Sequence, residues 1–156
     1  MRAQAATVAR RSLLLGAVAT LALAQRLDAE VWRDPQCGCC AGWVDHLRAE
    51  GFAVTDRVVP TVAPFRRMMG TPADLLSCHA GRVAGIALEG HVPAFAIRHA
   101  LREVPGRIAG LAVPAMPVGT PGMEVPGREA EIYDVIAWRP DGTHFAFLRM
   151  RGAAPV

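Results

Sequence analysis

The chain of 156 residues contains no lysine and carries little net charge. All 17 basic residues are arginines, and 14 acidic residues oppose them. Three of the arginines (Arg2, Arg10 and Arg11) lie before Gln25, where no acidic residue occurs, so the rest of the chain has 14 basic against 14 acidic residues. Such a neutral body lacks the basic surface that binds nucleic acid or an anionic membrane. Composition therefore argues against either as the main partner.

The sequence also lacks an apolar run that could span a membrane. The apolar stretch 13–24 has only twelve residues, whereas a spanning helix needs about 20. It follows Arg10-Arg11 and ends in a small-x-small pattern, Ala22-Leu23-Ala24. We predict that residues 1–24 form an export signal of twin-arginine type and that residues 25–156 form a single periplasmic domain without a stable membrane span. An ordinary secretion signal and an N-terminal core helix are the alternatives.

Cysteine is scarce, and its distribution is uneven. Three of the four cysteines (Cys37, Cys39 and Cys40) lie within four positions, and the fourth, Cys78, is followed directly by His79. A chain of this length can bury a core without disulfide staples. In an oxidising compartment, clustered cysteines are expected as disulfides or as metal-bound thiolates.

Hydrophobic periodicity predicts an α/β domain. Strands are predicted over 30–33, 53–59, 83–89, 131–138 and 143–148. Helices are predicted over 40–50, 62–69 and 93–103, the last with Pro93 as its first residue. The proline-rich stretch 108–127 is predicted to be an ordered loop without regular structure. Because a C-x-x-C turn between the first strand and the first helix is typical of thioredoxins, we predict a thioredoxin-like mixed sheet flanked by helices, with a C-terminal β-hairpin.

The chemistry of the cluster depends on Cys39. Thiolates are favoured at a helix N-terminus, so Cys37 and Cys40 alone could form a redox pair in which Cys37 attacks. A third adjacent thiolate does not fit that scheme, and a soft cation that neutralises the sulfurs explains it better. Two disulfides, Cys37–Cys40 and Cys39–Cys78, remain an alternative.

Two further segments offer ligands to the same site. In a thioredoxin-like sheet the loop carrying Cys78 and His79 would face the cluster. Met116 and Met123 lie in a stretch held by proline and glycine, where they are either thioether ligands or loop anchors. Simpler roles are expected for the other candidates: Trp43, Met68 and Met69 in the core, His91 as a helix cap, and His46, His99 and His144 on the surface.

Several motifs together resemble the CopG-type copper-resistance proteins, a periplasmic family formerly known only as a domain of unknown function. They are Cys-Gly-Cys-Cys-x-x-Trp (37–43), Gly-Phe (51–52), Ser-Cys-His (77–79), Glu-Gly-His-Val-Pro (89–93), Gly-Leu-Ala-Val-Pro-x-Met-Pro-x-Gly (110–119) and Pro-Gly-Met-Glu (121–124). The resemblance implies a thioredoxin-like fold and copper bound in a polynuclear thiolate site. The implied ligands are Cys37, Cys39, Cys40 and Cys78, with His79 and Met116 or Met123 nearby.

The leading hypothesis is a periplasmic protein that holds one or several Cu(I) ions in this thiolate cluster for copper resistance or homeostasis. The expected partners are copper ions and other copper-resistance proteins. Two alternatives stay open. One is a thiol–disulfide or copper oxidoreductase that uses Cys37 and Cys40, and the other is a disulfide-stapled adaptor module.

Overall fold

The structure, a computed structural model, describes residues 26–156. The predicted export signal, residues 1–24, lies outside the described residues. Within 26–156, no helix is both long and apolar enough to cross a membrane.

Three helices and eight strands make up the described chain. The strands are β1 (Asp28–Arg33), β2 (Ala53–Val58), β3 (His79–Val83), β4 (Ile86–Glu89), β5 (Gly110–Ala112), β6 (Ile132–Trp138), β7 (His144–Arg151) and β8 (Ala154–Pro155). The helices are α1 (Gly38–Ala49), α2 (Ala63–Met69) and α3 (Ala94–Glu103), and one 3₁₀ turn spans Ala73–Leu75.

All eight strands belong to one mixed sheet, in the order β2-β1-β3-β4-β5-β6-β7-β8. β1 pairs in parallel with β2, and β4 with β5, whereas the other neighbours are antiparallel. The fold is therefore a mixed α/β sheet flanked by three helices. The predicted C-terminal hairpin is confirmed, with β6 and β7 paired from Trp138↔His144 to Ile132↔Arg151.

Alternation along β1 divides the core between the two faces of the sheet. Val31 packs in the main cluster with Trp43 and Leu47 of α1 and Ile97 of α3. Trp32, the next residue, points to the opposite face and stacks on Phe65 of α2, with ring centroids 4.6 Å apart. The predicted core position of Trp43 is confirmed, since its side chain is fully buried.

The predicted single strand 83–89 is wrong, because the chain reverses within it. β3 and β4 form a tight hairpin with Val83↔Ile86 as its last pair. Its two turn residues, Ala84 and Gly85, have φ of 47° and 84°, as a two-residue turn of type I′ requires. The apolar run conceals this turn, which only Gly85 signals. The reversal brings the end of β4 beside the start of β3.

The predicted core position of Met68 is wrong, because its side chain is 62% exposed. Two smaller backbone predictions also need correction. The loop 108–127 contains β5, and Gly110 is required there, because a Cβ would lie 2.1 Å from the ring of Trp138. Pro93 precedes α3 as its N-cap, with an extended ψ of 145°, and is not the first helical residue.

Candidate metal centre

The cysteine turn forms the N-terminus of α1. Cys37 is the N-cap with φ −83° and ψ 91°, and its N–H donates to the Asp34 carbonyl at 3.2 Å. The Gln36 N–H donates to Asp34 Oδ1 at 2.8 Å, which closes the turn before the helix. Within the described chain no side chain caps α1, and its first turn holds no acidic residue. The helix N-terminus thus presents an uncompensated positive dipole end to the sulfur atoms.

The four cysteines form one cluster, in which two sulfurs are oxidised to a disulfide and two are thiols. Cys37 and Cys40 are joined by a disulfide, whereas Cys39 and Cys78 are free thiols among residues 26–156. Cys39 Sγ lies 3.5 Å from Cys37 Sγ. All four sulfurs lie within 4.8 Å of one another. Cys40 is buried and the other three are half-buried, so the cluster is accessible from one side. The alternative Cys39–Cys78 disulfide is absent from the described chain.

A buried ion pair anchors the loop that carries Cys78. Arg66 of α2 donates to both oxygens of Glu89, at 3.0 Å and 2.6 Å, and also to the Ser77 carbonyl at 2.7 Å. The Ser77 N–H in turn donates to Glu89 Oε1 at 2.7 Å. The Glu89 side chain is fully buried, and burial raises the pKa of its carboxyl while Arg66 opposes that change. These contacts fix the backbone immediately before Cys78.

Two buried imidazoles flank the Cys78 sulfur. His79 Nδ1 lies 3.2 Å from Cys78 Sγ, and His91 Nε2 lies 3.1 Å from it. His91 Nδ1 is 2.7 Å from the Pro121 carbonyl, which can only accept, so Nδ1 carries the proton. Burial lowers the pKa of both imidazoles, most strongly that of His79. Burial also raises the pKa of the Cys78 thiol to about 12, and the neighbouring Cys39 adds to this shift.

His91 is the site residue that sequence reasoning missed. Its predicted role as a cap of α3 is wrong, because it faces Cys78, and the His46 side chain accepts the first N–H of that helix instead. His46 Nε2 accepts the Ala94 N–H at 3.1 Å and is half-buried, so its predicted surface position is wrong. The available signal was the motif Glu-Gly-His-Val-Pro at 89–93, which follows the hidden hairpin.

Trp43 and the loop after β5 shield the centre. The Trp43 ring lies 4.2 Å from the His79 ring, and its Nε1 donates to the Val92 carbonyl at 2.8 Å. Gly122, with φ of 85°, packs so closely on α1 that a Cβ there would lie 2.5 Å from the Trp43 backbone nitrogen and 2.8 Å from the Cys39 carbonyl oxygen. This contact seats the loop against the cysteine turn.

The predicted methionine ligands lie in that same loop. Met116 is 42% exposed, and Met123 is half-buried with its N–H bonded to the Thr120 carbonyl at 2.7 Å. The two described ligand groups are Cys37, Cys39, Cys40 and Cys78 in one, and Cys78, His79 and His91 in the other. Both groups consist of cysteine and histidine side chains, and Met116 and Met123 stay predicted ligands.

The fold and the site define a small α/β protein with a cysteine–histidine cluster able to hold metal. A family model described as "Protein of unknown function, DUF411" matches residues 75–123. Two solved structures, copper resistance protein copG in Form 1 and Form 2, are each 38% identical with a TM-score of 0.75. They cover 82% and 81% of this chain, and 100% and 99% of their own. A comparison with curated proteins finds no match.

This chain therefore belongs to the family of the copper resistance protein CopG. Family membership and the cysteine cluster together support a copper-related role.

Proposed function

We propose that the reduced protein holds Cu(I) in a thiolate cluster formed by Cys37, Cys39, Cys40 and Cys78, as part of copper resistance or homeostasis. The observation that carries this proposal is the approach of all four sulfurs to within 4.8 Å of one another. Thiolates at such separations repel one another, and bridging cations remove that repulsion. Soft sulfur ligands select Cu(I) among the available metals. Four sulfurs are more than one Cu(I) ion needs, which favours a site that holds several ions.

Reduction of the Cys37–Cys40 disulfide is the step that opens this site. Two electrons and two protons convert the disulfide to two thiols, and a dithiol reductant supplies both as it forms its own disulfide. Copper binding then replaces the thiol protons. The N-terminus of α1 points its positive dipole end at the sulfurs that would bind the ions. The half-buried position of three of the sulfurs leaves a path for the ions.

The remaining predicted ligands complete the cluster from its other sides. His79 contributes its Nδ1, which is 3.2 Å from Cys78 Sγ. Met116 and Met123 contribute thioethers from a loop that Gly122 seats against α1. A thioether is a soft ligand like a thiolate, but it is uncharged and adds no repulsion.

We also propose that the protein acts in the periplasm after export by the signal at residues 1–24. The double arginine and the short apolar run support this. A thioredoxin-like classification is part of the same proposal, supported by the cysteine turn between β1 and α1. Detection of the mature chain beginning near residue 25 in a periplasmic fraction is the expected result, and a full-length chain retained in the cytoplasm would contradict it.

Anaerobic titration tests the Cu(I) proposal directly. The protein is reduced, freed of reductant and titrated with Cu(I) against a chromogenic chelator. More than one copper per chain is expected, with near-complete loss of the additional ions in Cys39→Ser. His99→Gln is the matched control, because His99 stacks on Phe95 of α3 and packs against Phe147 of β7, and this variant should bind copper normally. No binding by reduced wild type, or full binding by Cys39→Ser, would overturn the proposal.

The disulfide favours a second candidate, a thiol–disulfide oxidoreductase. The half-buried Cys37 lies at the N-cap of α1 as an attacking thiolate would, and the buried Cys40 lies where a resolving cysteine is required. This activity needs no third sulfur. If Cys39→Ser reduces a protein disulfide as fast as wild type and both proteins fail to bind Cu(I), the second candidate holds and the first does not.

A further inference from the structure

A small cavity opens between α2 and the segment that follows it. Its volume is about 260 Å³. Its walls are formed by Ala63, Arg66, Arg67, Thr71, Ala73 and Leu76. We propose that this cavity binds a carboxylate carried on a short apolar chain. The site is separate from the proposed Cu(I) cluster, since none of its lining residues is among the predicted metal ligands.

Arg67 supplies the positive charge that an anion requires. Its side chain is exposed and takes part in no ion pair within the described chain. The neighbouring Arg66 is neutralised, because Glu89 accepts from it with both carboxylate oxygens. Asp74 does not line the cavity and is directed at His144, 3.3 Å away. Among the lining residues Arg67 is therefore the charge without a partner, which favours an anionic ligand.

Arg66 contributes further donors in a fixed position. Its Nε and Nη2 bind Glu89, and Nη2 also donates to the Ser77 carbonyl. Its third nitrogen, Nη1, has no partner among residues 26–156 and is not enclosed. Because the ion pair holds the guanidinium, the Nη1 hydrogens are oriented before a ligand arrives, which reduces the entropy lost on binding. Guanidinium N–H groups match the paired oxygens of a carboxylate.

The Thr71 hydroxyl is an independent indication of a ligand. Thr71 lines the cavity, and its Oγ1 is buried without a hydrogen-bond partner in the described part of the chain. A buried hydroxyl without a partner is unfavourable, and its proton is available to an anion. The Gly70 and Thr71 N–H groups donate to the carbonyls of Arg67 and Arg66 at 3.2 Å and 3.1 Å. Those two carbonyls at the end of α2 are thus occupied and do not oppose an anion.

The apolar wall and the volume of the cavity define the rest of the ligand. Leu76 is 43% exposed, so a ligand that covers it removes apolar surface from water. Ala63 and Ala73 complete this wall with short side chains. Sites for drug-sized molecules have volumes of about 300–1,000 Å³, slightly more than this cavity offers. It therefore fits a chain of a few methylene groups better than a ring system or a long lipid chain.

Titration of the non-reduced protein with hexanoate tests the site. We expect the backbone amides of Arg67, Thr71 and Leu76 to shift in NMR spectra, with a Kd of about 1–10 mM, which is ordinary for so small a ligand. Hexanol has the same chain without the charge, and acetate has the charge without the chain. Each should bind at least ~10-fold more weakly. An acetylated tripeptide ending in leucine shows whether the carboxylate can also come from a peptide C-terminus.

Two variants and one control assign the contacts. Arg67→Gln should weaken hexanoate binding at least ~10-fold through loss of a charge-assisted hydrogen bond. Thr71→Val should weaken it about 3–10-fold without lowering the Tm of the ligand-free protein, because the hydroxyl it removes has no partner. Arg107→Gln, the control at an exposed arginine outside the cavity, should bind hexanoate as wild type does.

The outcomes separate the site from nonspecific binding. Binding of either carboxylate that is lost in Arg67→Gln supports the proposal, and the tighter of the two identifies the source of the carboxylate. The proposal is overturned if neither carboxylate shifts these amides near its solubility limit, if hexanol binds as well as hexanoate, or if Arg67→Gln keeps the affinity of wild type. None of these results depends on whether the protein binds Cu(I).

Discussion

Substitution of Glu89 by glutamine should destabilise the protein and weaken its metal centre together. The change keeps the side-chain volume but removes the charge that faces Arg66, whose side chain is only 19% exposed. Breaking a buried pair by removing one partner costs about 3–5 kcal/mol. We expect the low end, about 3 kcal/mol, because the guanidinium retains some solvent and its bond to the Ser77 carbonyl. For a chain of this size that corresponds to a decrease in Tm of about 6–12 °C.

The effect on metal should follow from the anchoring of Ser77. The glutamine oxygen can accept from Arg66 and from the Ser77 N–H as Glu89 Oε1 does, but it carries no charge, and its NH₂ group replaces the Oε2 acceptor of the Arg66 Nε–H, so the anchoring of the backbone before Cys78 weakens. We expect copper affinity of the reduced protein to fall about 10–100-fold, the usual effect of losing an outer-shell partner. Urea unfolding followed by circular dichroism gives the free energy, and chelator competition gives the affinity.

Met150→Ala is the matched control for this experiment. Met150 of β7 is fully buried and pairs with Tyr133 of β6, and its truncation should cost a comparable ~2–5 kcal/mol. It should leave copper affinity within about twofold of wild type, because the residue lies in the C-terminal hairpin. The reasoning is refuted if Glu89→Gln loses less than about 1 kcal/mol, or if it loses no more copper affinity than Met150→Ala.

Three further predictions concern neighbouring contacts. In the non-reduced protein, alkylation of Cys78 should be slow at pH 8 and should accelerate about tenfold per pH unit through pH 10. The reason is that burial raises the pKa of this thiol to about 12 and only the thiolate reacts. A rate of alkylation, followed by peptide mass spectrometry, that stops rising below pH 9 would contradict the raised pKa. Gly122→Ala should reduce copper stoichiometry, because its Cβ would collide with the α1 backbone 2.5 Å away at a φ of 85°; an unchanged stoichiometry would show that the loop is not part of the centre. His46→Ala should cost about 1 kcal/mol through loss of the cap on the Ala94 N–H, yet leave metal binding intact; unfolding and titration of the same sample distinguish the two effects.

Some elements of the fold were predictable because residues close in sequence determine them. The helix from 38 to 49 was predictable from its apolar spacing, and the hairpin of β6 and β7 from Asp141-Gly142 between alternating strands. The β3–β4 hairpin was not, since the run of small and apolar residues over 83–88 continues through the turn, and the turn of type I′ places a non-glycine residue, Ala84, at positive φ. Burial on both sides of a central sheet removes the alternation that would mark two strands.

The candidate centre was predictable only where its ligands are close in sequence. Cys37, Cys39 and Cys40 belong to one helical turn, so their proximity needs no tertiary information. His91 reaches Cys78 because the unpredicted hairpin returns the chain to the start of β3, where the Gly90 N–H donates to the His79 carbonyl at 2.9 Å. An error in one strand assignment therefore concealed one candidate ligand.

The position of Cys78 links the sulfur and imidazole sides of the candidate centre. Its sulfur lies within 4.8 Å of the three clustered sulfurs and within 3.2 Å of both imidazole nitrogens. Under the Cu(I) proposal, oxidation of Cys37 and Cys40 leaves only the thiols of Cys39 and Cys78, which are too few for a cluster of several ions, and reduction restores four. The proposal therefore predicts that the oxidation state of this one disulfide sets how much copper the protein can hold.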